Sequence, residues 1–562
     1  SLDTDVDEFS IARIVQLVLK YLGDVMERAT LQKDHLQRHA EVVILACSVL
    51  YLYCVPNKSS DKIVQQKGHH LLLKISRTYD TDGGVLRFTM PLLSEVTSIV
   101  KDDIFSSNVV RIALNALQAN HIRDHPVAVC GACEILENLR PKDKKAATLV
   151  IESSLEALRS HMQTEGIVVD FCRMLLRHDV KDSAFFAKFA TLGGITLVVR
   201  ILRFLPDDLG AQCSALVMLD VLYPFVKGSP PKLIKVILAS LKAHKNVSGV
   251  VYVALNALVR FRGAVAKIGT DMSDELIKLT VGAIEDNMTT HPEVVARGFH
   301  VLQISDPAWF GKVYAAGGYG LVLQTLRAHK KDSNVQLFAL SIADEFCGFA
   351  HRDGKFAPSD LIELTVEVLK DHIEASPQVT IVTCHVLQIY GNGCNCFDRI
   401  YRAGAYGLIL RSMQLYQDHA EMQSLALNVV LGLGDFVVRV GQIERSNVID
   451  ISMNTLRKYV DKSSEPNVVK AACAVLRLYG SRGFLYDHVI RSGGIRLVNK
   501  ALSCYKRHMG VMNEATKLRD ALLEFSKEEE DNDNTSSAPN NSCCQYFCAR
   551  TGYRPVSSRD EN

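Results

Sequence analysis

The sequence predicts an all-α protein built by stacking one helical motif, and three observations predict it. A fifteen-residue segment recurs at a period of about 43 residues, and self-similarity at such a period marks a solenoid or an array. Each copy carries the same apolar stripe at helical spacing. No run of alternating residues joined by hairpin turns interrupts the pattern, so no sheet is expected.

The copies begin at His39, His125, Thr164, Asp208, Val247, His291, Asp332, Ser376, His419 and Glu465. Successive starts lie 39 to 46 residues apart, except the first two, which lie 86 apart, or two periods. Four copies read HPVAVCGACEILENL (125–139), HPEVVARGFHVLQIS (291–305), SPQVTIVTCHVLQIY (376–390) and EPNVVKAACAVLRLY (465–479). Apolar places 4, 8, 11, 12 and 15 fall on one side of a 3.6-residue helix. The eighth place is small in nearly every copy (Ala46, Ala132, Ala215, Ala254, Gly298, Ala339, Ala426, Ala472), which lets a neighbouring helix approach closely. One such helix cannot stay folded in water alone, because its apolar face needs the next repeat. The missing copy is expected at Asp82, where Val85, Thr89, Leu92 and Val96 are in register, with Pro91 expected to kink the helix.

Each marked helix follows a second amphipathic run, such as KLIKVILASLKAH (232–244) or LIELTVEVLKDHI (361–373), across a short polar connection. Several repeats open on a glycine pair or a close relative, at Gly193–Gly194, Gly317–Gly318, Gly404 and Gly493–Gly494, which suits a sharp turn between helices. The expected organisation is an N-terminal helical cap or partial repeat over 1–38, a solenoid over 39–525, and a tail over 526–562 that is first acidic and disordered, then cysteine-rich.

A glycine pair, an Ile-x-x-Leu-Val-like helix, a polar loop and then Val-x-x-x-Ala-Cys-x-Ala-Leu resemble the armadillo repeat. The segment around Gly317–Gly318 and SSEPNVVKAACAVLRLYG (463–480) carry this best. The resemblance covers roughly residues 39–525 and implies a right-handed armadillo/HEAT-like superhelix of about eleven to twelve repeats. It implies three helices per repeat, the third helices lining a concave groove. In the importin-alpha type, Trp stands two places before the twelfth-place Leu and Asn two places after it. Here the first of these places, the tenth, holds Glu134, Arg173, Asn256, His300, Ser341, His385 and Asn428 in seven copies and never Trp; the chain's one Trp, Trp309, lies elsewhere. The second, the fourteenth, holds Asn138, Arg177, Arg260 and Glu345, with apolar residues or glycine in the other copies. With the Asn ladder absent, a nuclear-localisation peptide is not the expected ligand. The eleven polar residues just named are instead the candidate partner-binding groove, because the tenth place points away from the apolar stripe.

The sequence points away from chemistry. It contains no P-loop, no G-x-S-x-G and no H-E-x-x-H, and His351-Arg352-Asp353 lacks the other kinase signatures. Cys394 and Cys396 form a C-x-C without the further ligands a metal site needs, so no metal and no cofactor are expected. Cys47, Cys133, Cys172, Cys384 and Cys473 share the ninth place and are expected to be buried thiols. With 22% charged residues and a net charge of +2, the 562-residue chain carries no field that would favour nucleic acid or an anionic membrane. No stretch approaches eighteen consecutive apolar residues.

The chain opens at Ser1 without methionine or a signal-peptide pattern, so a fragment or a processed form is expected, with a cytoplasmic location. Cys543, Cys544 and Cys548 in the tail are candidates for S-acylation, which would add peripheral membrane association. The expected function is a non-enzymatic scaffold or adaptor that binds protein partners along the groove. The alternatives are a regulator of a small GTPase, of the exchange-factor or chaperone type, and the regulatory arm of a larger multidomain protein.

Overall fold

The computed structural model describes residues 8–31, 36–55, 59–118, 125–139, 144–160, 168–169, 171–172, 175–176, 183–226, 230–304, 309–349, 358–437, 442–462, 464–481 and 485–535. These residues are helical, with no strand among them. The chain divides into two compact units, Ser1–Ala316 and Gly317–Asn562.

The first unit opens with α1 (Glu8–Leu31) and α2 (Leu36–Cys54). It continues through α3 (Ser60–Gln65), α4 (Gly68–Thr78), α5 (Gly83–Ile99), α6 (Asp103–Gln118), α7 (Pro126–Leu139) and α8 (Lys144–Ser160). Then come α9 (Ser183–Thr191), α10 (Gly194–Phe204), α11 (Leu209–Leu222), α12 (Pro230–Ala243), α13 (Ser248–Arg260), α14 (Thr270–Asn287), α15 (Pro292–Gln303) and α16 (Phe310–Ala315). The helices that carry the repeated segment pack against one another in sequence order, α2 on α5 on α7 and α11 on α13 on α15. The helices before them form a second layer, with α4, α6, α8, α10, α12 and α14 each touching the next. The α1 helix covers the first repeat by packing on α2, α3 and α4.

The second unit repeats this plan with α17 (Gly318–Ala328), α18 (Ser333–Glu345), α19 (Pro358–His372), α20 (Pro377–Gly393), α21 (Phe397–Arg402) and α22 (Ala405–Leu415). It ends with α23 (Ala420–Gly432), α24 (Gln442–Tyr459), α25 (Pro466–Gly480), α26 (Tyr486–Arg491), α27 (Gly494–Cys504) and α28 (Met509–Thr535). Here α18, α20, α23, α25 and α28 follow one another in the layer that carries the repeated segment, called the inner layer below, and α17, α19, α22, α24 and α27 in the other, called the outer layer.

The apolar stripe is the core. Val250, Ala254, Leu255 and Leu258 of α13 are fully buried, as are Val379, Thr383, Val386, Leu387 and Tyr390 of α20. The small eighth place works as its size requires: a Cβ on Gly298 would come within 2.4 Å of Ile284 on α14. The copy at Asp82 forms one helix with Pro91 inside it. The α7 helix approaches there so closely that a Cβ on Gly131 would lie 2.7 Å from the Pro91 nitrogen.

The repeats differ in how their first two helical segments are joined. Repeats such as α9–α10–α11, α21–α22–α23 and α26–α27–α28 have a short first helix and a left-handed turn. Repeats such as α12–α13, α14–α15, α19–α20 and α24–α25 also follow a short helical segment, at Tyr223–Phe225, Arg262–Val265, 347–349 and Gly434–Val437, and their second helix is longer. Gly193, Gly317, Gly404 and Gly493 take φ of 94°, 92°, 83° and 83°, and Lys67 takes 55° at the equivalent turn before α4. An L side chain resists that region, so glycine holds four of these five turns.

The α28 helix extends the series beyond the copies legible in sequence. Val511, Ala515, Leu518 and Leu522 are fully buried at the places expected of a copy starting at His508. This helix also runs on to Thr535, so residues 526–535 are helical where a disordered tail was expected. The remainder of the tail, with Cys543, Cys544 and Cys548, lies outside the described residues.

Candidate protein-binding face

The inner helices are oriented by caps and clamps built from their own first turns. Asp208 accepts from the Ala211 amide at 2.8 Å, and Asp332 accepts from the Asn334 and Val335 amides at 3.0 and 3.1 Å. These side chains satisfy donors that a helix start leaves without partners. Four residues further on, three copies carry a buried glutamine. The Gln212 amide donates to the Leu202 and Leu205 carbonyls at 3.0 and 2.7 Å. Gln336 does the same to Leu326 and His329, and Gln423 to Met413 and Tyr416. Each glutamine thus satisfies the C-terminal carbonyls of the outer helix before it and fixes the angle between the layers. Between repeats, His372 Nε2 donates to the Lys330 carbonyl at 2.7 Å, and the Tyr459 hydroxyl donates to the Gln417 carbonyl at 2.9 Å.

On this scaffold several tenth- and fourteenth-place side chains bond sideways to the repeat before them. In the first unit, Ser94 Oγ donates to Glu134 at 3.4 Å, and Asn138 donates to Ser94 Oγ at 3.4 Å. Asn256 donates to one oxygen of Asp220 at 3.1 Å, and Arg260 donates to the other at 3.0 Å. Burial raises the Asp220 carboxyl above its usual range, against the opposing pull of Arg260, Arg297 and Asn256. His300 Nδ1 lies 3.4 Å from Arg297. Burial, then the neighbouring Arg297 and Arg262, hold the His300 imidazole below its ordinary value. The surroundings of His300 are therefore cationic.

The equivalent face of the second unit has the opposite sign. His385 Nδ1 lies 3.1 Å from Asp344. The hydrogen bond to Asp344 raises the His385 imidazole, burial opposes the rise, and the charges of Asp344, Glu421 and Glu345 add to it. Glu345 is itself raised, by burial first and then by Asp344. Ser341 bonds inward to the Leu337 carbonyl at 2.8 Å. Asn428 is half-buried on α23. The face is thus cationic around His300 and acidic around His385.

Of the eleven candidate residues, nine are described, and Arg173 and Arg177 lie outside the described residues. The sequence reading missed the partners. Ser94, Asp220 and Asp344 occupy the thirteenth place of their copies, as does Arg477, which donates to Glu514 of the next inner helix at 3.2 Å. A helix places that position beside the tenth place of the following repeat. A charged or polar thirteenth-place column was the available signal.

Among the described residues, no group of three or more His, Cys, Asp or Glu side chains converges as a metal site. No single described helix is long and apolar enough to cross a membrane, and the one bent pair that passes by composition, Ala184–Thr191 with Gly194–Phe204, packs on α8 and α11. Cys47, Cys172, Cys384 and Cys473 are buried, and burial pushes each thiol up to about 12.

No family model matches the chain, and no curated protein matches it. Among solved structures it is similar to a "Circular tandem repeat protein with novel repeat topology and enhanced subunit contact surfaces", at 16% identity and a TM-score of 0.18. That match covers 92% of this chain and 99% of the other. The repeat architecture rests on the packing of successive inner helices described above.

Proposed function

We propose that this protein is a non-enzymatic, armadillo-type scaffold that binds protein partners along the exposed faces of its inner helices. One observation carries the reading. In the first unit Arg260 and Arg297 act on the Asp220 carboxylate, and Arg297 acts with Arg262 on the His300 imidazole. Arg260 is 62% exposed at its side chain while its Nε is held by Asp220. A guanidinium held by one bond keeps other donors for a partner, and holding it beforehand lowers the ordering cost of binding. This patch suits an extended acidic segment or an acidic folded surface.

The fold supports the same reading, because stacked helical repeats offer extended surface. The test is affinity capture from a native lysate with the full chain, the double variant Arg260→Glu/Arg297→Glu, and a control, Lys235→Glu, on the exposed side of α12. The reading expects partners to be lost with the double variant and retained with the control. Retention with both, while circular dichroism shows both folded, overturns it.

A further inference from the structure

Two cysteines far apart in sequence meet at the end of the inner layer of the second unit. Cys347 lies just past the end of α18, and Cys394 lies at the end of α20. Their sulfurs are 3.4 Å apart. Each also faces backbone of the other's segment: Cys347 Sγ lies 3.7 Å from the Ile389 carbonyl, and Cys394 Sγ lies 3.9 Å from the Cys347 carbonyl. The second cysteine of the C-x-C pair turns elsewhere, with Cys396 Sγ donating to the Cys394 carbonyl at 3.3 Å. Asn395, between the two, is held at φ 51°, a left-handed conformation that a side chain rarely adopts. The C-x-C sequence therefore points its first thiol at Cys347, one repeat away, and its second at backbone.

We infer that Cys347 and Cys394 form a reversible disulfide site that cross-links two successive repeats, with a low-molecular-weight disulfide such as oxidised glutathione as the oxidant. The exposures divide the roles. Cys394 is partly exposed, and Cys347 is buried. Burial, then the neighbouring Cys394, pushes the Cys347 thiol up to about 12, which disfavours its thiolate as the first attacker. The Cys394 thiolate attacks one sulfur of oxidised glutathione, forms a mixed disulfide and releases one glutathione thiolate. Cys347 then loses its proton to solvent as its sulfur attacks Cys394 Sγ and displaces the second glutathione thiolate, which solvent protonates. Two protein thiols are oxidised, and one glutathione disulfide is reduced to two glutathiones. Closing the bond requires the two sulfurs to approach by a little over 1 Å, since a disulfide spans about 2.05 Å.

The bond would join the C-terminal ends of α18 and α20, the two helices already tied by Asp344 and His385. Oxidation would lock the relative position of the repeats that carry the acidic part of the face. Cys47, Cys172, Cys384 and Cys473 are buried among apolar neighbours and take no part, whereas exposed Cys504 reports whether the oxidant reached the protein.

The test exposes the reduced full chain to oxidised glutathione, alkylates the remaining thiols and maps the peptides by mass spectrometry, alongside Cys347→Ser, Cys394→Ser and Cys396→Ser. The inference expects a Cys347–Cys394 cross-linked peptide in the wild type and in Cys396→Ser, its loss in the other two variants, and its reversal by dithiothreitol. Should a serine variant fail to fold, the wild-type map alone decides the pairing. A Cys394–Cys396 cross-link overturns the inference. So does recovery of both Cys347 and Cys394 without a disulfide between them while Cys504 carries glutathione.

Discussion

Asp344 on α18 and His385 on α20 face each other across two successive repeats, with 3.1 Å between the carboxylate and Nδ1. The pair couples the face of the second unit to pH. Interaction with Asp344 raises the His385 imidazole above its ordinary value of 6.5. A raised folded-state value means that the stabilisation is fully present below 6.5 and is lost as pH rises through the folded value. An NMR titration of wild type and Asp344→Asn should show the His385 midpoint above 6.5 in the first and moved down in the second. Equal midpoints would remove Asp344 as the cause.

His300 is expected to titrate in the opposite sense. Burial, Arg297 and Arg262 lower its imidazole below 6.5, so its contribution to stability is present at neutral pH and is lost as pH falls from 6.5 through the lowered folded value. Arg297→Ala should move the midpoint upward by removing one cation. An unchanged midpoint would mean that the cationic character of this patch has another source.

The glutamine clamps predict a cost that exposure alone would not suggest. Gln423 is fully buried, donates to the Met413 and Tyr416 carbonyls, and accepts from Thr455 at 2.9 Å. Gln423→Leu leaves these groups without a partner, and the expected loss of stability is about 1–3 kcal/mol. Chemical denaturation measures it, with Gln414→Leu, whose side chain is exposed on the outer helix, as the control.

Close approach at Pro91 sets a steric limit. A methyl group on Gly131 would press on backbone atoms of Met90 and Pro91, which cannot rotate away as a side chain can. Gly131→Ala should therefore destabilise by about 1–3 kcal/mol, the usual cost of overpacking. Gly249→Ala, which has open space around it, should not. Comparable midpoints for the two variants would place the contact elsewhere.

The fold was legible where one physical requirement repeats. The eighth-place small residues and the apolar places announce themselves about every 43 residues, and the glycine turns mark some of the repeats. What escaped reading depends on pairs of positions in different repeats. Asp220 with Arg260, Asp344 with His385 and Cys347 with Cys394 lie 40, 41 and 47 residues apart, and nothing local in either member marks the other. The copy at His508 escaped because Arg519 stands at its twelfth place, where most copies carry leucine.

The central claim is that partners dock on the inner-helix face, and site-specific photo-cross-linking tests it most directly. A photoreactive residue is placed at position 256, beside Asp220 on the inner face, or at position 235 on the exposed side of α12, in otherwise unaltered full chains. The account predicts partner cross-links from position 256 and none from position 235. Cross-links from position 235 with none from position 256 would contradict it and move the binding surface to the outer layer.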